Sequence, residues 1–111
     1  MATTINLEEL TGKGRVHNLS GRLRGKAARE LFHVDVLDDQ DDLIDVIVPP
    51  YVYSITPSFI QGMFGESVKA LGNDAVRFKR HFRLVGPPVV LEQFDRGLAA
   101  ILTSRDLNDV R

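Results

Sequence analysis

Apolar residues recur along the chain with three different spacings, and each spacing predicts a different element. From Leu43 to Val48 the chain reads Leu-Ile-Asp-Val-Ile-Val. This run is nearly all apolar and β-branched, which predicts a central strand covered on both faces. Between Val76 and Val85 the pattern alternates. Val76, Phe78, Phe82 and Leu84 fall on one side, Arg77, Lys79, His81 and Arg83 on the other, and Arg80 interrupts the apolar set. Period two predicts a strand with one solvated, basic face. Ile5 and Leu7 share a face of a short first strand, followed by a Thr11-Gly12-Lys13-Gly14 loop.

Helical spacing appears three times. Leu23, Ala27, Leu31 and Val34 form one stripe of a helix that Ser20 would cap, with Arg22, Lys26 and Arg29 on a separate, solvated face. Gly25 inside this helix costs roughly 1 kcal/mol against alanine, which suits close packing on another backbone. Phe59, Met63, Phe64, Val68 and Leu71 form the apolar face of the best-defined helix. Thr56 is its N-cap, Pro57 its first residue and Gly72-Asn73 its stop. A last helix begins near Val89 with Leu91, Phe94, Leu98 and Ile101 inward, and residues after Thr103 read as a fraying tail. Phe59, Phe64, Phe78, Phe82, Phe94 and Leu98 are the expected core. One stretch stays open: His33–Val36 either pairs with Leu43–Val48 as a hairpin across the acidic turn, or continues the preceding helix to about Leu37.

Composition narrows the picture. The chain has 111 residues, 43% hydrophobic and 26% charged, with no cysteine. That fits one domain over 1–111, which the predicted strands and helices make α/β. Thiol catalysis, disulfides and cysteine metal sites are excluded. The apolar runs are too short to span a membrane. No basic segment leads into an apolar one at the start, so the expected compartment is the cytoplasm. Residues 1–55 carry 6 basic and 9 acidic side chains, and the whole chain is at −1, which leaves no footprint for bulk nucleic-acid binding.

Few residues are arranged for chemistry. Asp38, Asp39, Asp41 and Asp42 lack the glycine and glutamate of a calcium-binding loop. In the Gly12–Gly14 loop the second glycine is not followed by the lysine and serine or threonine of a phosphate-binding loop. His17, His33 and His81 have no metal-ligand spacing and read as surface histidines. No nucleophile or acid-base set stands out, so a non-enzymatic protein without cofactor or metal is expected. Arg77, Lys79 and Arg83 on the alternating strand are the one candidate nucleic-acid contact, with Tyr51, Tyr53 or Phe82 as stacking partners. A solvated face accounts for those cations better. Ser54, Thr56 and Ser58 crowd the turn at a helix N-terminus, where the free N–H groups and the dipole favour negative charge.

At this turn the sequence resembles a family. Ser20-Gly21-Arg22 with Gly25, then Ser54-Ile55-Thr56-Pro57-Ser58-Phe59, then Phe64-Gly65 and Leu71-Gly72, look like the STAS-like domain of unknown function DUF4325 over about Ile5 to Leu102. That family is related in shape to anti-sigma-factor antagonists. The resemblance implies a mixed β-sheet with helices packed mainly on one face, and a helix from Ser20 to about Leu37. It also implies a regulatory, protein-binding role with a histidine-kinase-like ATPase or a transcription regulator as partner. The expected contact is Ser54, Thr56 and Ser58 with Gln61 and Lys69 of the following helix. Two positions depart from the pattern. Val48-Pro49-Pro50-Tyr51 replaces an acidic end to the central strand, and Pro57 stands where the antagonists carry their phosphorylated serine, which moves that role to Thr56 or Ser58.

Overall fold

Every strand pairing in the described residues is parallel. The computed structural model describes residues 3–12, 14–40 and 43–109, with side chains to Thr103. Lys13 of the glycine loop and Asp41 and Asp42 of the acidic run lie outside them. The chain runs β1 (Thr3–Asn6), a 3-10 turn (Leu7–Leu10), β2 (Asn18–Leu19), α1 (Arg22–Leu31), α2 (Val34–Leu37) and β3 (Ile44–Ile47). It continues through β4 (Ser54–Ile55), α3 (Pro57–Ala70), α4 (Ala75–His81), β5 (Phe82–Val85) and α5 (Pro88–Asp109). The fold is α/β. Three strands form one sheet in the order β1-β3-β5, and β2 pairs with β4 in a second. The parallel arrangement replaces the expected mixed sheet, because a helix lies between each strand and its partner.

Register explains how the main sheet divides its faces. Ile5, Val46 and Leu84 lie side by side in one row, as do Ile44 and Phe82 in the next. These point into the core. The row between them, Thr4, Asp45 and Arg83, points the other way. There Arg83 grips Asp45 through two hydrogen bonds of 2.8 and 3.0 Å. β3 is central as predicted, but Asp45 and Ile47 are only half-buried, so its second face is not covered like the first.

The expected core is buried throughout: Phe59, Phe64, Phe78, Phe82, Phe94 and Leu98 all lose nearly all their exposure. Phe64 of α3 sits at its centre, with ring centroids 5.6, 5.3 and 5.7 Å from Phe78, Phe82 and Phe94. Edge contacts of this kind add to simple burial.

The segment Val76–Val85 differs from prediction. Its first part is α4, and only Phe82–Val85 is a strand. Asp74 decides this by capping the helix, its side chain accepting from Val76 N at 2.9 Å and Arg77 N at 3.4 Å. Phe78 and His81 then face inward at i and i+3, while Val76 is exposed. Lys79, Arg80 and His81 in the last turn suit the negative end of the helix dipole. His81 is therefore not a surface histidine. It is 7% exposed, its Nε2–H donates to Leu37 O at 2.7 Å, and its ring meets Phe82 edge-on.

The predicted helix from Ser20 to Leu37 is broken. His33 adopts a left-handed conformation, φ 53°, and separates α1 from α2. Ser20 is not the cap; Gly21 occupies that place with φ 92° and no side-chain bond. The apolar stripe of α1 also faces the wrong way for a core. Leu23 is 81% exposed and Leu31 53%, and Ala27 is exposed beside them. Gly25 and Ala28 are the buried residues instead. The reason is the expected close approach: a Cβ on Gly25 would lie 2.9 Å from Met63 N, and one on Gly62 of α3 would lie 3.0 Å from Lys26 N. Two glycines meet where the helices cross, so backbone packs on backbone and the larger side chains are left outside.

Arg29 also leaves the solvated face it was assigned. Its guanidinium donates to Met63 O at 3.0 Å, Ser67 Oγ at 2.8 Å and Asp38 Oδ2 at 2.6 Å. It thereby joins α1, α3 and the end of α2. Finally, the backbone of α5 is helical from Pro88 to Asp109.

Candidate functional site

The turn between β4 and α3 is held from three sides. Its backbone is fixed first. Thr56 N donates to Leu19 O at 2.9 Å, and Ile55 N donates to Gln93 Oε1 of α5 at 2.7 Å. Thr56 then caps α3 as its sequence predicts, Oγ1 accepting from Phe59 N at 3.3 Å, with Pro57 in the first turn. The same oxygen accepts from Gly21 N at 3.4 Å, so one hydroxyl serves the entrances of both α1 and α3. Ser58 Oγ lies 3.1 Å from Thr56 Oγ1 and is exposed.

Beside this turn is a shallow groove of about 120 Å³, lined by Pro57, Ser58 and Gln61 of α3 and by Gly97, Ala100 and Ile101 of α5. Gly97 brings the helices together, since a Cβ there would lie 3.3 Å from Ile60 Cβ. The floor is apolar and small, and Ser58 and Gln61 supply polar groups at its edge. Ser58 and Gln61 thus share the groove, and Thr56 touches Ser58, while Ser54 sits in β4 opposite Asn18 and is not among the lining residues. Lys69 is not among them. It is in the last turn of α3, and at 1.5 Å per residue lies roughly 16 Å along the axis from Ser58.

The cations proposed as an alternative contact do not form a row. Arg77 and Lys79 are on α4 and Arg83 is on β5. Lys79 Nζ is 3.0 Å from Asp95 Oδ1, and Arg83 is held by Asp45. The hydrogen bond to Asp45, then its charge, raise the Arg83 pKa above the ordinary guanidinium value. Such exposed pairs contribute little stability, but they cancel the local positive excess that a phosphate backbone needs. The aromatic residues are elsewhere engaged. Tyr51 Oη bonds Thr11 Oγ1 at 2.8 Å, Tyr53 stacks on His17 at 5.9 Å, and Phe82 is buried. Among the described residues, no group of three His, Asp or Glu is placed to hold a metal ion, and no helix is long and apolar enough to cross a membrane.

Gln93 and Gly21 were not legible as part of the site. Gln93 is one polar residue in a helical pattern, and only the docking of α5 against β4 gives it a backbone N–H to accept from. No family model, curated protein sequence or solved structure matches the chain.

The double duty of Thr56 sets a measurable outcome. Thr56→Ala leaves two N–H groups without their acceptor and should cost about 1–2 kcal/mol in urea unfolding. Ser58→Asp should hold or raise stability, because a negative charge suits the first turn.

Proposed function

We propose that this chain is a non-enzymatic regulatory domain of the STAS-like kind, which docks a partner protein through the Ser54–Ser58 turn and the groove beside it. The observation that carries this reading is the groove itself, where Ser58 and Gln61 edge an apolar floor kept narrow by Gly97 and Ala100. A protruding partner side chain fits such a floor. The turn is tied by Leu19, Gln93 and Thr56, so little ordering has to occur on binding. The partner class that the resemblance suggests is a histidine-kinase-like ATPase or a transcription regulator. Lys69 is too far along α3 to share a small contact and belongs only to a larger one. A nucleic-acid contact through Arg77, Lys79 and Arg83 has less support, since two of the three cations are already paired.

The test begins with capture of a partner on the immobilised chain, followed by calorimetry with the purified pair. Ser58→Asp and Gln61→Arg should each weaken association at least tenfold while the fold holds. Unchanged affinity in both would remove the groove from the contact. Salt-sensitive retention on DNA or RNA that is lost in Arg77→Ala would favour the nucleic-acid reading instead.

A further inference from the structure

The outer face of α1 carries a pattern that the groove does not use. Leu23, Ala27 and Leu31 succeed one another at four-residue steps, and all three are exposed. They are not core residues that failed to reach the core, because Gly25 and Ala28 on the opposite side already seat the helix against α3. The stripe is symmetric about Ala27, with one leucine a full step before it and one a full step after, and the small residue in the middle.

Charge follows the same axis. On the exposed surface Arg22, Arg24 and Lys26 occupy the first half of the helix and Glu30 the second; Arg29, also in the second half, is turned to α3 and Asp38. Asp35 and Glu66 lie with Lys26 and Glu30 around a depression of about 390 Å³ beside the helix. The first turn of α1 holds no acidic residue. Cations at a helix N-terminus oppose the dipole, so this arrangement does not serve the isolated helix.

We propose that α1 is a dimerisation face, and that its occupant is α1 of a second copy of this chain running antiparallel. A two-fold axis through Ala27 sets Leu23 of each protomer against Leu31 of the other. The alanines at the centre let the axes approach. Positions flanking one side of the stripe then face the same side on the partner, so Glu30 of each copy falls between Arg22 and Lys26 of the other. The two dipoles run head to tail. The charge pattern is thus self-complementary only in the antiparallel sense, which a like-charged or parallel arrangement does not satisfy. A ten-residue helix makes a small interface, below the standard size, so the dimer is weak and half-formed on the order of 0.1 mM. This face is separate from the α3–α5 groove, and either can fail without the other.

Sedimentation equilibrium from about 10 µM to 1 mM should show a concentration-dependent monomer–dimer equilibrium. Leu23 and the charged residues are exposed, so their variants should keep the fold, checked by circular dichroism. Leu23→Asp should abolish the dimer. Glu30→Lys alone and the pair Arg22→Glu with Lys26→Glu should each be monomeric, yet mixing the two variants should restore association. The chain contains no cysteine, so Ala27→Cys gives a clean cross-link. It should oxidise to a covalent dimer much faster than Glu92→Cys on α5. A chain that stays monomeric at 1 mM, a dimer indifferent to Leu23→Asp, or equal cross-linking at the two cysteines would overturn the proposal. So would binding of the monomer to phosphatidylserine vesicles that Leu23→Asp abolishes, which would assign the face to a membrane surface.

Discussion

Gly62→Ala should remove about 3 kcal/mol or more of folding stability, the upper range for inserting a methyl group into a filled contact. The added Cβ would lie 3.0 Å from Lys26 N and 3.1 Å from Arg22 C, and nearer still to Arg22 O. These are backbone atoms of a regular helix, so no side-chain rotation relieves the clash. The helices must move apart. Arg29 then loses its reach to Met63 O and Ser67 Oγ on α3, and the Asp38 carboxylate, 6% exposed, loses part of its partner's support. A domain of this size should melt roughly 10–20 °C lower. Gly97→Ala is the control. Its Cβ meets side-chain atoms of Ile60 rather than backbone: Cδ1 can swing away, and Cβ at 3.3 Å needs a shift of only a few tenths of an ångström, so the loss should be smaller. Equal melting temperatures for Gly62→Ala and the parent would show that the two helices do not cross as described.

The glycine in α1 was readable as a point of close approach, but the direction of the helix was not. Leu23, Ala27, Leu31 and Val34 satisfy helical spacing perfectly well, and a periodicity argument places an apolar stripe inward. It has no way to register that two glycines can form a better seat than two leucines. The break at His33 was equally hidden, because a left-handed residue there has no glycine to announce it. The stretch 76–85 failed for a different reason. Phe78, His81 and Phe82 also fall at i, i+3 and i+4, the spacing of a helical face, and Asp74 as a cap outweighed the alternation. By contrast Leu43–Val48, the Thr56-Pro57 entry to α3, and the Gly72-Asn73 exit were each legible, because their signals are local: β-branching, a capping hydroxyl beside a fixed φ, and two residues that accept positive φ. Of the candidate site, Thr56, Ser58 and Gln61 were legible as neighbours on one helical start. Gln93 and the groove wall from Gly97 to Ile101 were not, since they arrive from about 40 residues further along the chain and only tertiary docking brings them in.

Phe64→Ala should be the most damaging truncation in the core, costing about 3–5 kcal/mol, a large part of the stability of a domain this small. The ring is buried and touches Phe78 of α4, Phe82 of β5 and Phe94 of α5, with all three contacts near edge-on. Those elements converge on this one side chain of α3, so removing it opens a cavity rather than a surface notch. Phe78 and Phe82 are already 5.1 Å apart, and Phe78 and Phe94 5.9 Å, so the three remaining rings support one another and resist collapse into the space. Partial collapse is what usually reduces the cost of such a truncation. Phe64→Leu should therefore recover more than half of the loss, because it refills most of the volume while forfeiting the edge contacts. Urea unfolding of the two variants, with the slope compared to confirm that the unfolded states match, reads both values. A Phe64→Ala loss of under 1 kcal/mol, or a leucine variant no better than alanine, would mean that the four phenylalanines do not form the cluster on which α3, α4, β5 and α5 converge.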